Sequence, residues 1–282
     1  MDENRNSNIS SEHSEELLNI IENFRLMDDT FMSKVFEDKA CAELLLRVIL
    51  NRDDLTVVRV VSQFELKNLQ GRSARLDIYA IDEHGKQYDV EVQRSDDGAA
   101  PRRARYNSSL LDANLLNPGD KFDELPESYI IFITEHDVLK GGKPLYTVNR
   151  TISELDHAIF AEGSHIIYVN GEIRNGTALG ELMQDFFCKD PREMHYKVLS
   201  DRAGYFKKDK EGVDTMCKLM EDYADKRARQ AAEAAAEKAA KERSISIATN
   251  LWNKGERDLQ QIADLTDLPL DEVKKLFEGK TA

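Results

Sequence analysis

Residues 75–93 read RLDIYAIDEHGKQYDVEVQ, two alternating runs joined by the tripeptide EHG at 83–85. Alternation of apolar and polar residues is typical of β-strands that bury one face. A three-residue loop with glycine in the left-handed position favours a tight hairpin. The stretch therefore predicts two antiparallel strands in a register that places Ala80 opposite Tyr88.

The same register separates the hairpin into an apolar and a polar face. The apolar face holds Leu76, Ile78, Ala80, Tyr88, Val90 and Val92, and the polar face holds Arg75, Asp77, Glu91 and Gln93. Asp77 then faces Glu91 with Cβ atoms about 5 Å apart, where two like charges are destabilising. A shared proton, an Arg75 guanidinium across both acids, or a divalent cation would each remove that cost. A solvent-facing polar pair bridged by Arg75 or Lys86 is the plainer alternative.

The flanking sequence predicts an order of helix, three strands, helix and strand. Apolar residues recur at helical spacing over 31–50, and a strand pattern follows at 56–66. Pro101 suits the first turn of a second helix. The sequence Asn-Pro-Gly-Asp at 117–120 is expected to end that helix. A buried strand pattern covers 127–138.

The C-terminal half changes character along the chain. Strand-like patches at 145–152 and 165–171 are the last strands expected in the part of the chain that mixes helices and strands. Residues 177–200 have a helical pattern. Residues 211–243 consist largely of Ala, Glu, Lys and Arg, which predicts a long solvated helix or weak coiled coil. We therefore expect four segments: a disordered tail at 1–16, a mixed domain at 17–210, the long helix at 211–243, and a helical tail at 244–282.

The helical tail at 244–282 has the spacing of a helix-turn-helix around the sequence TDLP at 266–269. It contains five Lys/Arg and seven Asp/Glu, a net charge of −2. A DNA-reading version usually has a basic recognition helix, so this composition favours packing or self-association. A homo-oligomer formed through the C-terminal helices is the corresponding prediction.

Composition limits the possible functions. A net charge of −14 over 282 residues argues against a protein that coats nucleic acid, but a nuclease can gather acids around metal ions. Three widely spaced cysteines predict a reduced, cytoplasmic setting. The polar, acidic N-terminus does not read as a signal peptide, and no apolar run approaches the roughly 20 residues of a membrane span.

Other familiar chemistries lack their motifs. The six histidines show no zinc-ligand spacing. No glycine-rich phosphate loop precedes a helix, and no serine occupies a Gly-x-Ser-x-Gly elbow.

An acid on one strand, a turn, and Glu-x-Gln on the next strand, within this order of elements, resembles the PD-(D/E)XK nuclease superfamily. Within that superfamily, the sequence most resembles the PD-(D/E)XK nuclease family transposases, which are related to the recombination-promoting nucleases. The resemblance spans roughly residues 24–225. Asp77 matches the first motif acid, and Glu91 and Gln93 match the second motif. The resemblance implies an α/β fold with a restriction-endonuclease-like α-β-β-β-α-β core and a helical C-terminal extension.

Two positions depart from the superfamily pattern. Leu76 stands where the name expects proline, at a loosely held position. Gln93 replaces the usual lysine, although glutamine is the usual residue in the narrower branch. An amide can orient water but supplies no positive charge. The charge that builds up on the phosphate must then be stabilised by the metal and by neighbouring arginines.

The resemblance implies Mg²⁺-dependent hydrolysis of DNA phosphodiester bonds, with Mn²⁺ as a possible substitute. Asp77, Glu91 and the backbone carbonyl of Val92 would hold the metal, which polarises a phosphoryl oxygen and lowers the pKa of a bound water. Gln93 would position that water. Glu43 is the candidate for an additional acid from the first helix; an ordinary exposed helix glutamate is the alternative.

A basic segment follows the second motif directly. Residues 94–105 carry four Arg and two Asp, a local charge of +2. The predicted phosphate contacts are Arg94, Arg102, Arg103, Arg105 and Tyr106. Surface salt bridges with Asp96, Asp97 and Asp112 are the alternative.

A rival function also stays open: a catalytically inactive, nuclease-derived scaffold that acts by binding or self-association.

Overall fold

The computed structural model describes residues 15–68 and 71–278. The chain divides into two compact units, one that ends at Lys218 and one that begins at Leu219. Of the predicted disordered tail, residues 1–14 lie outside the described residues, whereas Glu15 and Glu16 belong to a helix.

The first unit contains both helices and strands. Their order is α1 (residues 15–23), α2 (Asp29–Val35), α3 (Lys39–Leu50), β1 (Val57–Leu66), β2 (Ala74–Asp82), β3 (Gln87–Gln93), α4 (Pro101–Leu115), β4 (Ser128–Thr134), β5 (Leu145–Val148), β6 (Thr151–Ile152), β7 (Ala158–Ile159), β8 (Ser164–Asn170), α5 (Ala178–Phe187), α6 (Lys197–Lys208) and the start of α7 (Lys210–Asn253).

A six-stranded sheet in the order β1-β2-β3-β4-β8-β5 forms the centre of this unit. Strands β1, β2 and β3 are antiparallel, β3, β4 and β8 are parallel, and β5 returns antiparallel to β8. Strands β6 and β7 form a separate two-stranded ribbon. The predicted α-β-β-β-α-β order is confirmed as α3-β1-β2-β3-α4-β4, within a mixed α/β fold.

The hairpin formed by β2 and β3 has the predicted register. Ala80 pairs with Tyr88 and Ile78 with Val90. Gly85 has φ +78°, the left-handed conformation that the loop requires. One step beyond the last ladder pair, the same register brings Asp77 beside Glu91.

Both faces of β3 are covered, because helix α4 packs over the face that carries the acids. The first six residues of β3 are buried, and Glu91 is 0 % exposed. The alternative of a solvent-facing polar pair bridged by Arg75 or Lys86 is therefore wrong. Arg75 is exposed, and Lys86 forms its ion pair with Glu127.

Two predicted helical patterns are each interrupted. The pattern at 31–50 breaks after α2, and the carboxylate of Asp38 accepts the N–H groups of Ala40 and Cys41 to begin α3. The pattern at 177–200 divides into α5 and α6, with a short turn from Pro191 to Glu193 between them. In both places a capping acid and the local turn chemistry override the continuous apolar spacing.

The second unit is helical. Helix α7 extends to Asn253, ten residues beyond the predicted end of the long helix, and is followed by α8 (Leu259–Thr266) and α9 (Leu270–Phe277). Asp267 turns the chain between α8 and α9 with φ +53°. The apolar core of this unit comprises Ala248, Trp252, Ile262, Ala263, Leu268, Val273 and Phe277. Among the described residues, no helix is both long and apolar enough to cross a membrane.

Candidate functional site

Asp77, Glu91 and Val92 bring oxygen atoms together where β2 and β3 separate. The Val92 N–H donates to Asp77 Oδ2 over 3.1 Å, in place of a backbone carbonyl of β2. The N–H and C=O groups of one strand residue point to the same side, so the Val92 carbonyl also faces β2. Two carboxylates and one carbonyl thus border the same opening in the sheet.

Glu91 is held by three side chains. Arg103 Nη2 on α4 forms an ion pair with Oε2 of Glu91, and Gln93 Nε2 donates to the same oxygen over 3.1 Å. Asn107 Nδ2, one helical turn after Arg103, lies 3.5 Å from Oε1. The cation beside the two acids is therefore Arg103, not Arg75.

Gln93 is packed against the loop that precedes α4. Its Oε1 accepts from Arg103 Nη1 over 3.3 Å, and the same Nη1 donates to the Gly98 carbonyl over 2.9 Å. A Cβ atom at Gly98 would lie 2.0 Å from Gln93 Oε1. Glycine at position 98 is therefore what allows Gln93 to occupy this place.

Asp89 is a third acid that the sequence reasoning missed. It is fully buried on the same face of β3 as Glu91, and Asn107 Nδ2 lies 3.3 Å from its Oδ2. Its Oδ1 has no hydrogen-bond partner among the described residues. The alternation of Asp89, Glu91 and Gln93 along the strand was a signal that could have identified it.

Gln63 on β1 lies opposite Asp77. Its neighbours pair in register, Ser62 with Ile78 and Phe64 with Leu76, but Gln63 itself has φ +52°. Its amide Nε2 lies 3.5 Å from Asp77 Oδ1. A non-glycine residue in the left-handed region inside a strand is strained, and such strain is concentrated at functional sites.

Burial shifts the protonation of all three acids. It raises the pKa of Asp77 to about 6, although the Val92 N–H opposes that shift. It raises the pKa of Glu91 to about 8, with the Asp77 charge as the next cause and Arg103 acting against it. The pKa of Asp89 is raised well above its ordinary value by burial and then by the charges of Glu91 and Asp77.

Glu43 does not join this group. Its carboxylate accepts the Val57 N–H over 2.9 Å and pairs with Arg47 over 2.9 Å. Val57 pairs with Asp82, and Asp82 lies five residue steps along β2 from Asp77, a distance of about 16 Å. The prediction that Glu43 adds an acid to the site is wrong, because this side chain fastens α3 to the start of β1.

The remaining predicted contacts have different surroundings. Arg94 pairs with Asp28 over 3.0 Å and with Glu135 over 3.3 Å. Arg102 and Arg105 are exposed and form no ion pair within the described part of the chain, so the alternative salt bridges to Asp96, Asp97 and Asp112 do not form there.

Tyr106 faces the loop between β1 and β2. Its hydroxyl donates to the Arg72 carbonyl and accepts from Asn68 Nδ2 over 3.1 Å. Tyr106 therefore fastens the start of α4 to that loop, and its ring remains exposed.

The donor set fits a magnesium ion that is completed by water and substrate. Across residues 15–68 and 71–278, no group of three or more His, Cys, Asp or Glu side chains is placed to hold a metal by itself. Mg²⁺ usually keeps several waters and binds one or two carboxylates plus substrate phosphates. Asp77, Glu91 and the Val92 carbonyl are hard oxygen donors of that kind.

Comparison with known proteins agrees with this geometry. The family model described as PD-(D/E)XK nuclease family transposase matches residues 32–177, more than half of the chain, which include Asp77, Glu91 and Gln93. Neither a curated protein nor a solved structure matches the chain. The chain belongs to the PD-(D/E)XK nuclease family transposases.

Proposed function

We propose that this protein is a Mg²⁺-dependent DNA endonuclease. The observation that carries the proposal is a pair of carboxylates, the half-buried Asp77 and the fully buried Glu91, beside the Val92 carbonyl on adjacent strands. A buried pair of acids is costly unless positive charge compensates it. The family match supports hydrolysis of nucleic acid as the reaction class.

In this proposal the metal ligands and the residue that orients water have separate roles. Asp77, Glu91 and the Val92 carbonyl would hold Mg²⁺, which when bound would polarise a phosphoryl oxygen and make a water nucleophilic at neutral pH. Gln93, fixed by Gly98 and Arg103, orients the attacking water through its amide.

The arginines around the start of α4 form the proposed DNA contact surface. Arg102 and Arg105 are exposed, and each is free of ion pairs within the described ranges. A guanidinium group binds phosphate oxygens through two parallel hydrogen bonds. Arg94, although paired with Asp28, is more than half exposed and lies directly after the second motif. Phosphate contacts of this kind position the DNA without reading its sequence.

Plasmid nicking tests the proposal. Wild-type protein should convert supercoiled DNA to the nicked form with Mg²⁺ or Mn²⁺ and should be inactive in EDTA. Asp77→Asn and Glu91→Gln should each reduce the rate by at least about a hundredfold while the protein still unfolds cooperatively. A wild-type protein that is inactive with both metals, or variants as active as wild type, would contradict it.

The Arg103–Glu91 ion pair favours a second candidate, a catalytically inactive scaffold that acts by binding or self-association. If the guanidinium alone compensates Glu91, the acids need no ion. Asp77→Ala should then raise thermal stability and leave the biological effect unchanged. The mass measured by size-exclusion chromatography should then depend on residues 211–282.

A further inference from the structure

The two oxygens of Glu91 differ in what can reach them. Oε1 points into the protein, toward Asn107, which is 3 % exposed, and toward the buried Asp89. Oε2 points toward Arg103, whose side chain is 39 % exposed. A hydrated cation that enters from solvent therefore meets Oε2 first.

Oε2 has no free lone pair in this structure. It accepts from Arg103 Nη2 and from Gln93 Nε2, and a carboxylate oxygen has two lone pairs. The oxygen that faces solvent is thus saturated by protein donors. A cation can coordinate it only after one of the two donors leaves.

Arg103 is the donor that a divalent cation can replace, because the cation supplies the positive charge that the departing guanidinium takes away. Its guanidinium retains a hydrogen bond to the Gly98 carbonyl, and its partly exposed side chain can regain water. Gln93 keeps its bond to Glu91 and its close approach to Gly98 even when the 3.3 Å contact of its Oε1 with Arg103 Nη1 is lost. A released guanidinium would also lie beside the place where the substrate phosphate binds.

We propose that Arg103 and a divalent cation compete for the same oxygen of Glu91, and that the displaced guanidinium becomes a ligand of the DNA phosphate. This inference rests on the proposed nuclease function and adds an exchange step to it. Arg103 is then a positioning residue for Glu91 in the metal-free protein and a phosphate contact in the loaded one. The guanidinium fork suits both carboxylate and phosphate.

Calorimetric titration of the full-length protein with Mg²⁺ at pH 8.5, where proton competition at Glu91 is reduced, tests the exchange. Arg103→Met should bind Mg²⁺ about tenfold more tightly than wild type, because the competing donor is gone. The same variant should bind a DNA duplex in Mg²⁺ at least about tenfold more weakly. Opposite changes in the two affinities are a result that a purely structural role would not produce.

Two further variants serve as controls. Arg102→Met removes the same charge one residue away, from an exposed side chain that forms no ion pair in the described part of the chain, and should leave the Mg²⁺ affinity unchanged. Arg103→Lys retains the positive charge but lacks the planar guanidinium group. Its Mg²⁺ affinity should lie between those of wild type and Arg103→Met. Thermal unfolding establishes that each variant is folded.

The outcomes separate the two proposals. A wild-type protein that binds no Mg²⁺ and nicks no DNA overturns both the exchange and the nuclease function. A wild-type protein that binds Mg²⁺ and nicks DNA, with an Arg103→Met variant whose Mg²⁺ affinity is unchanged or weaker, overturns the exchange alone.

Discussion

Glu91 is the residue at which the interactions of the site converge. A buried carboxylate contacts a guanidinium and two amides, and two more acids, Asp77 and Asp89, lie close enough to raise its pKa or share its amide partner. Concentrating negative charge in this way costs stability in the absence of a cation. At the residue scale, the site therefore gathers negative charge at the expense of stability.

Gly98→Ala should damage the site without unfolding the protein. The new methyl group would lie 2.0 Å from Gln93 Oε1 and would displace Gln93 together with its bond to Arg103. We expect DNA nicking to fall by at least about tenfold, a loss typical of a misplaced catalytic group. Gly176→Ala is the matched control, because within the described residues nothing other than its own chain neighbours lies within 4 Å of the added Cβ. Equal activity of the two variants would show that the position of Gln93 does not matter.

The metal-free protein should have an unusual dependence on pH. The folded state raises the pKa of Asp77 to about 6 and of Glu91 to about 8, so between about pH 4 and pH 8 it binds more protons than the unfolded chain. These two groups therefore lower the free energy of unfolding as pH rises through that window. Glu91→Gln should gain stability relative to wild type between pH 5.5 and pH 8 in EDTA.

Urea denaturation at the two pH values measures this difference. Glu83→Gln, at an exposed position in the hairpin loop, should retain the wild-type dependence on pH. If Glu91→Gln and wild type change in parallel from pH 5.5 to pH 8, Glu91 does not carry the pKa shift.

At the scale of elements, α4 determines the environment of the acids. Residues four apart on a helix lie on the same face, and in α4 this spacing brings both Arg103 and Asn107 to Glu91. Pro101 begins the helix directly after the loop that contains Gly98. The helix therefore both covers the polar face of β3 and supplies its hydrogen-bond donors.

A different contact connects α6 to the C-terminal end of α1 and to the residues that follow α5. Lys207 Nζ donates to the carbonyl oxygens of Glu22, Phe24 and Lys189 and is 8 % exposed. Lys207→Met leaves these carbonyls without their donor and should lower the free energy of unfolding by about 2–4 kcal/mol. Chemical denaturation measures the loss.

Lys208→Met provides the comparison for that variant. Lys208 is half-exposed, and its Nζ lies 3.7 Å from the Asp190 carboxylate, so its removal should cost less than about 1 kcal/mol. Similar losses at positions 207 and 208 would mean that the three carbonyl contacts contribute little.

The hairpin and the order of elements could be predicted from sequence because both follow from local periodicity and turn chemistry. Alternation placed Asp77 beside Glu91, and the position of Gly85 fixed the register. The covering of the acids by α4 depends on tertiary packing, which no local pattern contains. Glu43 was misassigned for the same reason, since helical spacing does not show at which end of β2 a side chain lies.

At the scale of the whole molecule, the chain combines a mixed α/β unit with a helical unit that has its own core. Trp252, the only tryptophan in the chain, belongs to the second core and stacks on Phe277 with ring centroids 4.4 Å apart. Arg257 lies over the same indole ring. The fluorescence of this one residue therefore reports on the second unit, whereas circular dichroism reports on all helices.

The two units should unfold as separate transitions. Lys207→Met weakens the first unit and should lower the midpoint of the main circular dichroism transition while the midpoint of Trp252 emission stays within error of wild type. Thermal or urea denaturation followed by both signals checks this. Equal shifts in both midpoints would contradict independent units and indicate a single cooperative transition.

The most direct measurement of the central claim is anomalous X-ray scattering from crystals of the wild-type protein grown or soaked with Mn²⁺. We predict a single strong peak at coordination distance, about 2.1 Å, from carboxylate oxygens of both Asp77 and Glu91. Arg103 should then have left Glu91 Oε2. A map with no peak there, and with the guanidinium still on that oxygen, would contradict it.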